Sequence, residues 1–214
     1  MSVLTTGILT ERDLEILKTL LFKVRFFSIE QVARTWWSNT KHPTVNALKR
    51  LSELQERNYV TLFTVVAHPE IPLQEPYFCW SPGADEPDFG SLAYQLSARW
   101  SKPYGATKAV IATPESAEVF GGSGGKFPKT AEQTHDLHLA SLYLRFRKTA
   151  PDRAVSWIHE DQLKRPPKGV KTPDAFLIEN EKKTVIEIAG KYPKKKLHAF
   201  HEHCATNELP YELW

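Results

Sequence analysis

The stretch TPDAFLIENEKKTVIEIAGKY, Thr172 to Tyr192, decides how this chain is read. Two β-rich runs, DAFLI and TVIEIAGKY, flank a polar turn. Asp174 opens the first run, Glu187 sits inside the second, and Lys191 follows it. Side chains alternate along a strand, so residues 187, 189 and 191 are expected on one side. Two carboxylates on adjacent strands can hold Mg²⁺ at a phosphate, and a nearby lysine can stabilise the negative charge that develops on cleavage. Asp174 and Glu187 are therefore candidate metal ligands, and Asp174, Glu187 and Lys191 candidate catalytic residues.

Working outward, PKKKLHAFHEHCATN reads as a helix with Leu197, Phe200 and Cys204 aligned, and PYELW as a closing strand. Lys194, Lys195 or Lys196 of that helix offers an alternative cation for the acidic pair. His198 and His201 share a helix face, but a zinc site needs more ligands, so solvent-facing histidines are expected. Upstream, AVSWIHE reads as a strand and Glu132–Arg147 as a helix whose apolar side carries Leu137, Ala140 and Leu144. His135, Asp136 and His138 on it are expected to serve packing or surface roles. The predicted order from residue 131 onward is α, β, β, β, α, β.

The first part of the chain has a different rhythm. Thr10 with Asp13 behind it marks a helix start, and Leu14, Leu17, Leu20 and Leu21 recur at helical spacing. Ser28 with Gln31 makes a capping box for a short second helix. Pro43 suits the first turn of a third, with Val45, Leu48, Leu51 and Leu54 as its expected buried stripe. Asn46, Lys49, Arg50 and Arg57 fall away from that stripe and are the candidate DNA-contacting residues. YVTLFTVV and YFCW then read as a hairpin over Tyr59–Trp80, with a mobile tip at His68–Glu75. Three helices and a hairpin are the order of a winged helix-turn-helix, which would place the third helix in the major groove.

Between these parts, SLAYQLSARW reads as a helix and KAVIATPESAEVF as a strand running into a helix. GGSGGKFPKT lacks the GxxxxGK[ST] spacing of a phosphate cradle and is expected to be a linker. The expected division is 1–83, 84–130 as connector helix and glycine-rich loop, and 131–214. The chain has 214 residues, is 41% hydrophobic and 25% charged, and carries a net charge of +3, so a nucleic-acid reading must rest on local arrangement. Cys79 and Cys204 are far apart in the chain, which suggests no disulfide framework and a reducing, cytoplasmic setting. MSVLTTGILTERD has no basic segment ahead of an apolar run, and no membrane association is expected.

The strand order, with Pro173–Asp174 and Glu187 in place, resembles the PD-(D/E)xK restriction-endonuclease-like superfamily. With the helices and KRLSELQERNYV in front, the whole chain is similar to the replication-relaxation family of plasmids and other mobile elements. The resemblance implies an α+β protein, an N-terminal winged helix-turn-helix followed by a restriction-endonuclease-like α/β domain. It implies double-stranded DNA as partner, leaves a homodimer open, and implies Mg²⁺ if the site is active and otherwise no cofactor. In the superfamily pattern the lysine stands two residues after the glutamate, where this chain has Ala189. Lys191 lies roughly 6–7 Å further along a strand rising about 3.3 Å per residue. That displacement favours a degenerate site that no longer cuts. The alternatives are a Mg²⁺-dependent DNA endonuclease, and a protein-interaction module that exposes Trp36, Trp37 and the aromatic hairpin.

Overall fold

The computed structural model describes residues 8–163 and 172–214 and shows a mixed α+β protein with two sheets. Its chain divides into two compact units, each built from two stretches: Met1–Ala67 with Tyr104–Leu144, and His68–Pro103 with Arg145–Trp214. The expected boundaries near 83 and 130 are therefore replaced by crossings at 67/68, 103/104 and 144/145. Among the described residues, no helix is long and apolar enough to cross a membrane.

In the first unit, α1 (Glu11–Phe22) begins at a capping box in which Thr10 and Asp13 satisfy each other's backbone N–H groups. A two-residue strand β1 (Phe27–Ser28) leads into α2 (Ile29–Trp36), whose Ser28–Gln31 capping box is also formed. The helix α3 (Pro43–Glu56) follows, with Pro43 in its first turn. Next, β2 (Val60–Ala67) pairs along its whole length with β4 (Gly105–Ala112), from Val60↔Ala112 to Ala67↔Gly105. β4 also pairs with β1, giving the antiparallel order β1-β4-β2. The predicted hairpin over Tyr59–Trp80 does not form. The partner of β2 arrives only after an excursion that belongs to the second unit, and His68 and Leu73 within the expected mobile tip are buried.

The helix α5 (Pro114–Phe120) and the glycine-rich segment follow β4 in the first unit. That segment is packed rather than a linker. Ser123 N–H donates to Leu21 O and Gly125 N–H to Ala112 O, each at 2.8 Å. A Cβ at Gly122 would stand 2.5 Å from Leu21 O, and one at Gly124 would collide with the Thr113 carbonyl. Glycine is needed there for close backbone approach, not for flexibility.

In the second unit, β3 (Phe78–Trp80) is followed by α4 (Phe89–Ala98), which Asp88 caps through the N–H groups of Gly90 and Ser91. The helix α6 (Gln133–Thr149) enters from the first unit, and α7 (Pro151–Ser156) leads into β5 (Trp157–His159). Then come β6 (Ala175–Glu179), β7 (Lys182–Glu187), α8 (Lys194–Thr206) and β8 (Tyr211–Leu213). The sheet order is β3-β8-β7-β6-β5, antiparallel except for the parallel pair β7·β8. The predicted α, β, β, β, α, β order is present, with α7 and β3 added to it.

One face of this sheet packs Phe176, Val185, Ala189 and Tyr211 against Leu92 and Leu96 of α4 and Leu197, Phe200 and Cys204 of α8. Elsewhere in the unit Phe146 meets Trp157 and Trp214 edge-on, at 5.9 and 5.4 Å. Each such buried side chain contributes about 1.5–3 kcal/mol.

Candidate functional site

The register of β6 and β7 sets the acidic pair. Ala175 opposes Ile186, so the next step along the ladder puts Asp174 opposite Glu187. Residues directly opposite have Cβ atoms about 4.5–5.5 Å apart and point to one face. Here that face is the one carrying Phe176 and Val185, beneath α8. Both groups are buried: Asp174 is 6% exposed and Glu187 0%. Asp174 Oδ2 accepts the Ile188 N–H at 2.8 Å, which extends the β6·β7 pairing by a side chain.

Lys191 does not join them. β7 ends at Glu187, and by Gly190 the chain has turned, with Tyr192 N–H donating to Gly190 O at 2.8 Å. Strand alternation therefore stops short of residue 191, and the Lys191 side chain is exposed. Tyr192 takes the inward place. Its hydroxyl donates to Glu187 Oε1 at 2.8 Å and lies 3.4 Å from Ile188 O. Burial, followed by the negative charges of Glu187 and Asp174, pushes the phenol far above its usual pKa, so it stays a protonated donor. Of the three lysines that open α8, Lys196 sets its Nζ 3.3 Å from the centre of the Tyr192 ring. The sequence reading missed Tyr192 because it extended the strand through a glycine, and Gly190 was the available signal.

Two carboxylates and the Ile188 carbonyl are hard oxygen donors of the kind Mg²⁺ accepts. The Tyr192 hydroxyl, however, already sits on Glu187 Oε1 and beside the Ile188 carbonyl. Among the described residues, no group of three or more His, Cys, Asp or Glu is gathered to hold a metal ion.

On α3 the buried positions are Ala47, Leu51 and Leu54, with Leu48 half-buried and Val45 65% exposed. At about 100° per residue, that stripe puts Val45, Lys49 and Glu56 at the centre of the outward face and Asn46, Arg50 and Arg57 on its flank. Lys49 is exposed, while Asn46, Arg50 and Arg57 are partly buried. Arg50 is already engaged. Its Nε and Nη2 donate to the two oxygens of buried Asp13 at 3.0 and 2.6 Å, and its Nη1 to Glu53 at 2.6 Å. Burial would raise the Asp13 pKa, but hydrogen bonds from Arg50 and Thr10 and the Arg50 charge outweigh it and hold the group below its usual value. The same pairing pushes Arg50 further up.

The tryptophan pair is not an exposed surface. Trp36 and Trp37 are 9% and 5% exposed, with Trp36 Nε1 donating to Glu15 at 2.8 Å and the Arg12 guanidinium 4.5 Å over Trp37. His138 is buried with Nδ1 2.7 Å from Thr134 O, and Asp136 is held by Arg25 at 2.7 Å. Buried His201 packs edge-on against Trp80 and shares a hydrogen bond with the Tyr211 hydroxyl, whereas His198 lies between Glu86 and Glu202. Cys79 and Cys204 are free thiols. Comparisons of the chain with protein-family models, with curated proteins and with solved structures find no match.

Proposed function

We propose that this protein binds double-stranded DNA through a winged helix-turn-helix and carries a restriction-endonuclease-like domain whose acidic site does not cut. On this reading it is similar to the replication-relaxation proteins and acts in replication, relaxation or regulation of a mobile element in the cytoplasm. The observation that carries it is the Tyr192 hydroxyl seated on Glu187, where a cation would have to bind, while Lys191 faces solvent. The order α1-β1-α2-α3-β2-β4, with β4 between β1 and β2, supports the winged-helix assignment of the first unit. Lys49 at the centre of the outward face of α3 is then the main phosphate contact, with Asn46 and Arg57 flanking it.

Mg²⁺, if bound, would be held by Asp174 and Glu187 and would neutralise charge at a phosphate. The second reading, a Mg²⁺-dependent DNA endonuclease, is favoured by the direct opposition of those two carboxylates across β6 and β7. One experiment separates the two. Purified protein is incubated with supercoiled and linear DNA, with Mg²⁺ or Mn²⁺, beside Asp174→Ala, Glu187→Ala and Lys191→Ala variants. Binding without cutting is expected. Cutting that both carboxylate substitutions abolish would install the endonuclease, and its loss in Lys191→Ala would make that lysine the third member.

A further inference from the structure

Val45 is an aliphatic side chain held out in solvent. It is 65% exposed in the first turn of α3, at the centre of the outward face and one turn before Lys49. A branched apolar side chain gains nothing from water, and valine is a poorer helix former than alanine, lysine or glutamine. Neither packing nor propensity accounts for it. A single apolar residue on a surface carries little meaning by itself, so its surroundings decide.

Those surroundings are cationic and open. Lys41, His42 and Lys49 are exposed, and the first turn of α3 holds no acidic residue. The Glu30 carboxylate accepts the Thr44 hydroxyl at 3.0 Å, and Glu53 is held by Arg50 at 2.6 Å. Glu56, also exposed, lies about three turns from Val45 at the far end of the helix. Asn46 follows Val45 about 100° around the helix, and its side-chain amide makes no hydrogen bond among the described residues. Arg50, which would otherwise be placed to pair with a guanine, is committed to Asp13 and Glu53.

The major groove of DNA presents one apolar group, the C5 methyl of thymine, and the N6 and N7 edge of adenine matches an asparagine amide in two hydrogen bonds. We infer that α3 reads a thymine through Val45 and an adenine in the neighbouring base pair through Asn46, with Lys49 on the phosphates. The occupant of this face is a duplex with two adjacent A·T pairs. Val45 covers the methyl group there, and the Asn46 amide finds its partners. The inference rests on the DNA-binding reading above and adds to it the bases that the helix selects.

The test uses the full chain to select duplexes from a random-sequence pool, then replaces each thymine of an enriched duplex by deoxyuridine, which removes only the methyl group. Binding is followed by fluorescence anisotropy for wild type, Val45→Ser and Asn46→Ala. In wild type one such replacement is expected to weaken binding about fourfold, the worth of one buried methyl group. Val45→Ser should bind the thymine and deoxyuridine duplexes equally. Asn46→Ala should lose at least about fivefold in its preference for adenine at the neighbouring pair. The deoxyuridine arm needs wild type alone, so it decides even where a variant does not fold. No deoxyuridine effect in wild type, or one that Val45→Ser retains, overturns the inference and leaves DNA binding standing. Equal binding of all duplexes does the same, as does an adenine preference that survives in Asn46→Ala. Absence of binding to any duplex overturns the DNA-binding reading and this inference together.

Discussion

Replacing Arg50 by alanine would strip Asp13 of two charge-assisted hydrogen bonds while leaving the carboxylate buried. Breaking one side of a fully buried pair typically costs roughly 3–5 kcal/mol, and Arg50 is about a fifth exposed, so a loss on the order of 2 kcal/mol is expected in urea unfolding. Lys49→Ala, one position earlier, should change stability by less than about 0.5 kcal/mol yet flatten the salt dependence of duplex binding by about 0.9. The Arg50 pair also carries a pH signature. Because the folded Asp13 pKa lies below its usual 3.8, its stabilisation is present above that value and is lost as pH falls through the folded pKa. Arg50→Ala should therefore narrow the gap to wild type in strong acid. At the other unit, Tyr192→Phe removes the donor to Glu187 and should cost about 1–3 kcal/mol. Added Mn²⁺ should raise the Tm of that variant more than that of wild type, since the ion no longer competes with a hydroxyl. Equal shifts in both proteins would refute the placement of Tyr192 over the cation position.

At the scale of elements, local signals predicted well wherever structure is locally determined. The caps at Thr10 and Ser28, Pro43 at the start of α3, and the apolar spacing of α4, α6 and α8 all translate into helices because each depends on residues within one or two turns. The acidic pair was legible for a similar reason, since a two-residue turn at Asn180–Glu181, both with positive φ, sets the β6·β7 register. Strand partners across long sequence gaps were not legible. Phe78–Trp80 has strand composition, but nothing in its neighbourhood says that it pairs with Tyr211–Leu213 rather than with β2. The buried stripe of α3 was displaced because Ala47, small and unremarked, is the residue that faces the core, while Val45 is outward. The glycine run misled by composition, and it can be tested directly. Gly124→Ala should destabilise the protein by about 1–3 kcal/mol, read as a lowered Tm, because its methyl group meets the Thr113 carbonyl. A linker would tolerate it.

For the molecule as a whole, the two units interrupt each other along the chain. A fragment of residues 1–83 contains α1, α2, α3 and β2 but not β4, the strand that lies between β1 and β2. It should be unfolded by circular dichroism and amide NMR dispersion. A chain that joins Ala67 to Tyr104 by a short turn and stops at Leu144 should fold, because it restores all three strands. The same interleaving governs how the protein is born. In the order β3-β8-β7-β6-β5, the strand that joins β3 to the rest of its sheet emerges from the ribosome after α8. Until then Phe78–Trp80 waits with both edges open, exposing backbone groups that invite other chains. Expression at lower temperature, or with a holdase chaperone present through the whole of synthesis, is the condition under which this waiting strand does least harm.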